Sequence, residues 1–374
     1  MRTFNGGLDA ARAVLESRFG HARFRVHQLK VLGPLLAGRN VLAVLPTGAG
    51  KSLCYQVPAL LSTGLTLVIS PLISLMQDQV GALRRRGIAA AYVNSQLDAD
   101  QRRVVLDAAT NGRLALLYCA PERLGSLTRR LGGGTRVSLL AIDEAHCITE
   151  WGNEFRPVYR RLGMFRSLLH RPPTIALTGS ATTAARTDIL HVLRMPDAHV
   201  VVTSFDRPNL TFAVHRVRDD RERFASIRAR VRDAPGAALI YTPTRRLTEL
   251  VTRALLRTSI RAAPYHAELS ADTRRRVLRA FLADRVHVIV ATSAFGMGID
   301  KPDVRQVLHW GPPPTLEAYY QEAGRAGRDG RASECLVLWR RGDLAWGNIS
   351  PAMKRYVESQ TNHRALILEY FGEP

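Results

Sequence analysis

The fold of this chain follows from Val41-Leu42-Ala43-Val44-Leu45-Pro46-Thr47-Gly48-Ala49-Gly50-Lys51-Ser52, where a short apolar strand runs into a glycine-rich turn. The next residues, Leu53-Cys54-Tyr55-Gln56, are suited to open a helix. Backbone N–H groups in such a turn converge on phosphate oxygens, and the helix N-terminus adds the positive end of its dipole. A strand, a glycine-rich turn and a helix in this order indicate a nucleoside triphosphate site at the edge of a parallel sheet.

The residues of this turn divide the work of holding a triphosphate. We expect Lys51 to reach the β- and γ-phosphates and Ser52 to bind Mg²⁺ through its hydroxyl, while backbone groups hold the phosphate oxygens. The predicted nucleotide contacts in the turn are Thr47, Gly48, Ala49, Gly50, Lys51 and Ser52. The strict phosphate-loop pattern has a glycine where this chain has Leu45, so a glycine-rich turn without a ligand is the alternative interpretation.

Apolar, β-branched runs recur between longer helical stretches, and this alternation predicts parallel sheets covered by helices on both faces. The predicted strands are 41–45, 65–70, 114–119, 139–142 and 174–177, then 237–241, 262–265, 286–291, 304–309 and 335–339. The pattern pauses at Ser204-Phe205-Asp206-Arg207-Pro208-Asn209. We therefore predict two tandem α/β lobes, 1–206 and 207–340, followed by residues 341–374 with one amphipathic helix over 351–371.

Charge and composition limit the classes of function. Lys+Arg 53 and Asp+Glu 32 give a formal net charge of +21, and a positive field of this size attracts polyanions such as nucleic acid or an anionic membrane face. The 46% hydrophobic and 23% charged residues are typical of a globular protein. The 4 cysteines form no CxxC pair, which argues against a disulfide framework and a compact zinc site. No apolar run is long enough to span a membrane, so we expect a soluble cytoplasmic protein.

A second chemical signal follows the apolar strand Ser138-Leu139-Leu140-Ala141-Ile142. The next residues, Asp143-Glu144-Ala145-His146, place two carboxylates at the carboxyl edge of the predicted sheet, where ligands bind. We expect Asp143 to act on the Mg²⁺ shell and Glu144 to orient and deprotonate an attacking water. Taken alone, these four letters are also compatible with a solvated helix start.

A third signal lies in the second lobe, at Gln321-Glu322-Ala323-Gly324-Arg325-Ala326-Gly327-Arg328-Asp329-Gly330. Arg325 and Arg328 are three positions apart and share one face if this stretch is helical. Arginines can stabilise the charge that develops on a γ-phosphate, so we predict catalytic roles for Gln321, Arg325 and Arg328. Because the phosphate-binding turn belongs to the first lobe, hydrolysis would require closure of a cleft between the lobes. A basic turn that contacts RNA or DNA is the alternative.

These motifs and their order resemble those of superfamily two helicases, and one segment narrows the resemblance to the RecQ family. That segment is the aromatic-rich loop Ala145-His146-Cys147-Ile148-Thr149-Glu150-Trp151-Gly152-Asn153-Glu154-Phe155-Arg156-Pro157. Further matching segments are Phe24-Arg25-Val26-His27-Gln28, Ile69-Ser70-Pro71-Leu72-Ile73-Ser74-Leu75-Met76-Gln77-Asp78-Gln79, Phe205-Asp206-Arg207-Pro208-Asn209, Tyr265-His266-Ala267-Glu268-Leu269 and Ala291-Thr292-Ser293-Ala294-Phe295-Gly296-Met297-Gly298-Ile299-Asp300-Lys301-Pro302. Thr178-Gly179-Ser180-Ala181-Thr182 resembles the interlobe linkage motif of the family. The resemblance implies two tandem RecA-like parallel-sheet lobes with a short C-terminal helix.

The resemblance also implies roles for individual residues. Arg25 and Gln28 would read the adenine of ATP, and His21 stands where the family often has a stacking aromatic. His146 would link the nucleotide site to DNA, and Thr292 would grip backbone phosphates of the strand. The residues expected to sense single-stranded DNA are Trp151, Phe155 and Arg156.

The function that the resemblance implies is an ATP-dependent 3′-to-5′ DNA helicase of recombination and repair. It would use ATP and Mg²⁺ and bind single-stranded and forked DNA. We expect no membrane partner, and the sequence leaves the oligomeric state open, with a monomer favoured. A DNA translocase, an RNA helicase or a catalytically idle nucleic-acid-binding protein are the alternatives. RecQ proteins usually continue into a zinc module, but Asn362 stands where its first cysteine is expected. We therefore predict no zinc in this chain and regard 341–374 as a helical remnant of the zinc-module platform.

Overall fold

The computed structural model describes residues 4–46, 48–131, 134–149, 157–232, 234–296, 301–345 and 349–373. The chain divides into two compact units, Met1–Thr203 and Ser204–Pro374. Each unit is built on one parallel β-sheet. No helix in these ranges is both long enough and apolar enough to cross a bilayer.

The first unit contains a seven-stranded sheet in the order β3-β4-β2-β5-β6-β1-β7, and every pair in it is parallel. Its strands are β1 (Val41–Val44), β2 (Leu65–Ile69), β3 (Ala90–Val93), β4 (Leu116–Cys119), β5 (Val137–Ile142), β6 (Thr174–Thr178) and β7 (His199–Val202). Its helices are α1 (Leu8–Phe19), α2 (Val26–Leu36), α3 (Leu53–Leu61), α4 (Ile73–Arg85), α5 (Ala99–Thr110), α6 (Leu124–Leu131), α7 (Leu162–Leu168) and α8 (Thr183–Val192). Short 3₁₀ turns occupy Pro121–Arg123, Ala145–Ile148 and Pro157–Arg161.

The second unit contains a six-stranded parallel sheet in the order β10-β11-β9-β12-β13-β8. Its strands are β8 (Leu210–Arg216), β9 (Ala237–Tyr241), β10 (Ala262–Tyr265), β11 (Val288–Ala291), β12 (Val304–His309) and β13 (Ser333–Trp339). Its helices are α9 (Asp220–Arg232), α10 (Arg245–Leu256), α11 (Ala271–Leu282), α12 (Leu316–Ala323), α13 (Pro351–Glu358) and α14 (His363–Phe371), with a 3₁₀ turn at Arg341–Leu344.

The predicted fold class is confirmed, and each predicted strand is present, three with the predicted ends and the others with slightly shifted ends. Central strands such as β1, β2 and β4 are buried at every position, which explains why they read as continuous apolar runs. Three strands were not predicted: β3, β7 and β8. All three lie at the edges of their sheets, and β7 and β8 are partly exposed, so their apolar signal is weaker.

The prediction of one helix over 351–371 is wrong, because two helices, α13 and α14, occupy this stretch. Ser359 is extended, and the Asn362 side chain accepts hydrogen bonds from the backbone N–H groups of Arg364 and Ala365, so a new helix begins there. The ring of Phe371 stacks on Phe205 with 4.3 Å between centroids. Residues 349–373 are therefore packed into the second unit.

Candidate functional site

The glycine-rich turn between β1 and α3 bends through two glycines in the left-handed region, Gly48 at φ 82 and Gly50 at φ 75. The backbone N–H of Ala49 donates to the carbonyl of Pro46 at 3.1 Å. The ammonium of Lys51 donates to the carbonyl of Leu45 at 3.2 Å, so it lies against the end of the strand that leads into the turn. Thr47, the remaining predicted contact, lies outside the described residues.

The carbonyls of this turn are held by side chains at the start of α2. The Arg25 guanidinium donates to the Gly48 carbonyl at 2.7 Å. The Gln28 amide donates to the carbonyls of Ala49 and Gly50 at 3.3 and 3.2 Å. In a planar trans peptide the C=O and the next N–H point in opposite directions. The N–H groups of Gly50 and Lys51 are therefore directed away from α2, as a phosphate-binding turn requires.

A third side chain of α2 was missed by the sequence reasoning. His27 Nε2 lies 2.9 Å from the Ala49 carbonyl oxygen. His27 stood inside a matched segment, but a single histidine carries no spacing that points to a neighbour. The adenine-reading roles of Arg25, Gln28 and the exposed His21 remain predictions, since the contacts of the first two are to the turn.

The two adjacent carboxylates follow β5. The Asp143 N–H donates to the Ile69 carbonyl at 2.8 Å, which extends the β2–β5 ladder. The Glu144 N–H donates to Asp143 Oδ1 at 3.1 Å, and Glu144 adopts φ 50, a left-handed conformation rare outside glycine. Burial, with a further contribution from Glu144, raises the pKa of the Asp143 carboxyl to about 7, while Lys51 acts in the opposite direction.

The residues present fit a bound Mg²⁺. Ser52 and Asp143 supply oxygen ligands, which this cation prefers, and the buried Asp143 carboxyl is one that a nearby cation would stabilise in its charged form. Mg²⁺ in nucleotide sites usually takes only one or two protein oxygens and completes its shell with phosphates and water. Within the described ranges, no group of three or more acidic, histidine or cysteine side chains could hold a metal ion by itself.

His146 lies in the 3₁₀ turn after the two carboxylates and is buried. Its Nδ1 is 3.0 Å from the hydroxyl oxygen of Thr178 and 3.3 Å from Glu144 Oε2. Thr178 ends β6 and belongs to the segment that resembles the interlobe linkage motif. The structure thus connects the second acidic residue to that motif through one imidazole.

The arginine-bearing segment of the second unit differs from its prediction. Helix α12 ends at Ala323, so Gln321 is helical whereas Arg325 and Arg328 lie in the turns that follow. The stretch that carries the two arginines is not helical, so the shared helical face that a helix would give them does not arise. The chain leaves the helix at Gly324 and passes through Gly327 at φ 54, a conformation that ends regular helix.

This arginine turn is shaped by residues from the start of the second unit. Arg207 donates to the carbonyls of Ala326 and Gly327, both at 3.1 Å. Asn209 Nδ2 donates to the Gly327 carbonyl at 2.8 Å. No pattern in the sequence pointed to the contacts of Arg207 and Asn209 with this turn, because the partners are more than a hundred positions apart.

Arg325 itself is buried close to Tyr241. Burial raises the pKa of Tyr241, and the positive charge of Arg325 opposes that rise. Among the described residues, no hydrogen-bond partner is found for Arg325 Nε. A buried guanidinium with spare donor capacity is suited to an anionic ligand.

Thr292 directly follows β11, and its hydroxyl accepts a hydrogen bond from the Ala294 N–H at 3.4 Å. It lines a cavity of about 480 Å³ at the carboxyl edge of the second sheet, together with Thr242 and Trp310. The predicted DNA-sensing residues Trp151, Phe155 and Arg156 lie outside the described residues. Their roles remain predictions.

Two family models match this chain: DEAD/DEAH box helicase over residues 25–189 and helicase conserved C-terminal domain over residues 222–330. ATP-dependent DNA helicase RecQ of Pasteurella multocida is 41% identical over 387 residues, which cover 98% of this chain and 60% of the relative. The RecQ of Bacillus subtilis is 43% identical and covers 95% of this chain and 59% of its own length. The chain belongs to the RecQ helicase family. It spans about three fifths of the length of these RecQ relatives.

Solved structures agree with the RecQ fold. The DUF1998 helicase MrfA, bound to DNA and AMPPNP, aligns with a TM-score of 0.76 at 19% identity over 100% of this chain and 55% of its own. Dbp5 of S. cerevisiae, bound to RNA and ADP BeF3, aligns with a TM-score of 0.73 at 15% identity over 98% of this chain and 94% of its own. At these identities the likeness confirms the two RecA-like lobes and nothing finer.

Proposed function

We propose that this chain is the ATP-hydrolysing core of a DNA helicase that couples ATP hydrolysis to movement along single-stranded DNA. The observation that carries the proposal is a group of interacting side chains in the first unit. The positive charge of Lys51 stabilises the buried Asp143 carboxylate, and Glu144 contacts His146. A turn that binds phosphate, a carboxylate for a metal and a carboxylate for a water are the parts that phosphoryl transfer to water needs. The names of the RecQ relatives support DNA as the polymer.

The residues of the site take defined roles in the proposed reaction. Lys51 exchanges the Leu45 carbonyl for β- and γ-phosphate oxygens, and the N–H groups directed away from α2 hold the rest of the triphosphate. Ser52 and Asp143 would hold Mg²⁺, which would neutralise phosphate charge.

Glu144 orients the attacking water and accepts its proton. The water oxygen bonds to the γ-phosphorus while the bond from that phosphorus to the bridging oxygen breaks, and ADP leaves with the electron pair. His146 holds the Glu144 carboxylate in position through its Nδ1. Gln321, Arg325 and Arg328 are proposed to act on the γ-phosphate from the second unit, where Arg207 and Asn209 hold the arginine turn in shape.

The surplus of positive charge supports a polynucleotide partner. A net charge of +21 favours backbone phosphates, whose contacts carry no sequence information. We therefore propose sequence-independent binding that weakens steeply with salt. The family resemblance extends the proposal to 3′-to-5′ polarity and to forked DNA as a substrate. A monomer is the favoured oligomeric state.

The test is ATP hydrolysis by the same preparation with single-stranded DNA, duplex DNA or RNA added, followed by a fork-unwinding assay. We expect single-stranded DNA to stimulate hydrolysis most, with strand release from the fork. Hydrolysis that no polynucleotide stimulates would contradict the motor proposal. Stimulation by DNA without strand release would identify a translocase, and stronger stimulation by RNA would identify an RNA helicase.

A further inference from the structure

The hydroxyl of Ser52 is held by a side chain from a different element. Gln79 lies on α4, and its Nε2 donates to Ser52 Oγ at 3.3 Å. Helix α4 begins inside the segment 69–79, one of the stretches that match the family and to which the proposed mechanism assigns no role. The contact joins two residues 27 positions apart in sequence.

Gln79 is fixed by a second glutamine. Gln56, on α3, donates from its Nε2 to Gln79 Oε1 at 2.7 Å and to the Tyr118 hydroxyl at 3.2 Å. Gln56 and Tyr118 are buried, so this orientation is not exchanged with solvent. Rotating the Gln79 amide by 180° would turn its NH₂ group towards the NH₂ group of Gln56, and two donors would then face each other. In this arrangement the pair directs an N–H of Gln79 towards Ser52.

The bond from Gln79 limits how the Ser52 hydroxyl can turn. A hydroxyl oxygen has one hydrogen and two lone pairs. Gln79 occupies one lone pair, so the hydrogen and the second lone pair are left to the directions away from Gln79.

We infer that Gln79 is a positioning residue for the metal-binding hydroxyl, and that the series Tyr118, Gln56 and Gln79 sets the direction in which Ser52 offers its free lone pair to Mg²⁺. The inference rests on the proposed nucleotide site and adds α4 to it. Without Gln79 the hydroxyl rotates among its staggered positions, and part of the affinity for the Mg²⁺–nucleotide complex is lost.

The inference is tested by measuring the binding of a non-hydrolysable ATP analogue. Calorimetry gives the equilibrium affinity, once in Mg²⁺ and once in EDTA. Gln79→Leu has a similar size and lacks the donor. We expect it to weaken binding about fivefold in Mg²⁺, the effect of one ordinary hydrogen bond, and to leave binding in EDTA unchanged. Gln56→Leu should produce a smaller loss of the same kind. Equal weakening in both solutions would overturn the inference, because it would show a general effect on the turn.

Two further variants separate positioning from structural damage. Gln77→Leu is the matched control, since Gln77 is exposed on the same helix and contacts only Gln96 among the bonds described for its side chain. It should bind as the wild type in both solutions. In a Ser52→Ala background, Gln79→Leu should have no further effect, and an additive loss would overturn the inference. If the wild type binds no nucleotide at all, the proposed function fails first, and that outcome is distinct from either result for Gln79.

Discussion

The hydroxyl oxygen of Thr178 accepts a hydrogen bond from Nδ1 of His146 over 3.0 Å. The direction follows from Thr178 itself, whose single hydroxyl hydrogen is donated to the Ser180 carbonyl at 3.1 Å. Nδ1 therefore carries the hydrogen, which also faces Glu144 Oε2 at 3.3 Å. One N–H thus joins the proposed base to the segment that resembles the interlobe linkage motif, and we expect a movement of that segment to change the position of the base.

Removing the hydroxyl of Thr178 should slow ATP hydrolysis without loss of nucleotide binding. In Thr178→Val the shape is kept but the acceptor is lost, and we expect kcat for ATP to fall about tenfold, as for a hydrogen bond that acts on a charged group. Thr178→Ser keeps the hydroxyl and should retain near wild-type turnover. Steady-state ATPase assays with a parallel binding measurement decide the matter. Wild-type turnover in Thr178→Val together with a loss in Thr178→Ser would contradict the prediction and show that packing of the methyl group is what matters.

Lys51→Ala should abolish ATP turnover and spare DNA binding. The ammonium is the only charged group that the glycine-rich turn offers to the phosphates among its described residues, so we expect a loss of at least about a hundredfold in kcat. Fluorescence anisotropy with labelled single-stranded DNA should give an unchanged affinity. Lys30→Ala is the control, since Lys30 is exposed on α2 and its replacement removes the same single positive charge as Lys51→Ala. Undiminished turnover in Lys51→Ala would remove the phosphate-binding role of the turn.

Gly48 and Gly50 of the glycine-rich turn should differ in how strongly replacement by alanine destabilises the protein. Both have positive φ, so alanine is strained at either position by roughly 1 kcal/mol. At Gly50 a Cβ would also come within 2.5 Å of Gln28 Nε2, whereas at Gly48 no atom lies within 4 Å. We expect Gly50→Ala to lower the melting temperature and weaken nucleotide binding more than Gly48→Ala. Identical melting curves for the two variants would show that Gln28 does not restrain the turn.

A buried ion pair should dominate the stability of the second unit. Arg223 on α9 is 2% exposed, lies over the ring of Trp310 and pairs with Asp343 and Asp220. Asp343→Asn should lower the free energy of unfolding by about 2 kcal/mol, since a buried guanidinium loses one of its two carboxylates. Asp272→Asn breaks an exposed pair with Arg275 and should change it by less than about 1 kcal/mol. Urea denaturation measures both, and equal midpoints would contradict the prediction.

The aromatic residues Trp151 and Phe155 carry a prediction that rests on the family resemblance. If this loop reports bound DNA to the nucleotide site, Trp151→Ala or Phe155→Ala should lower DNA stimulation of the ATPase more than the basal rate. The measurement compares hydrolysis with and without single-stranded DNA for each variant. A proportional fall in both rates would assign the two side chains to packing.

Much of the fold was predictable because its signals are local. Buried central strands such as β1 and β2 are short apolar runs, and a parallel sheet needs them apolar on both faces. The edge strand β8 escaped prediction because one side of an edge strand meets solvent and its residues are mixed. The break between α13 and α14 also escaped, since the cap by Asn362 is a three-dimensional hydrogen bond rather than a change in hydrophobic pattern.

The amino-acid sequence determined the two α/β lobes, the phosphate-binding turn and the Asp143–Glu144 pair, because each of these is written in neighbouring residues. The tertiary structure alone decided which distant side chains meet. His146 reaches Thr178 because β5 pairs with β6, and Gln79 reaches Ser52 from α4, where Gln56 of α3 also bonds to it. Strand order and helix packing set these distances, and no spacing along the chain encodes them.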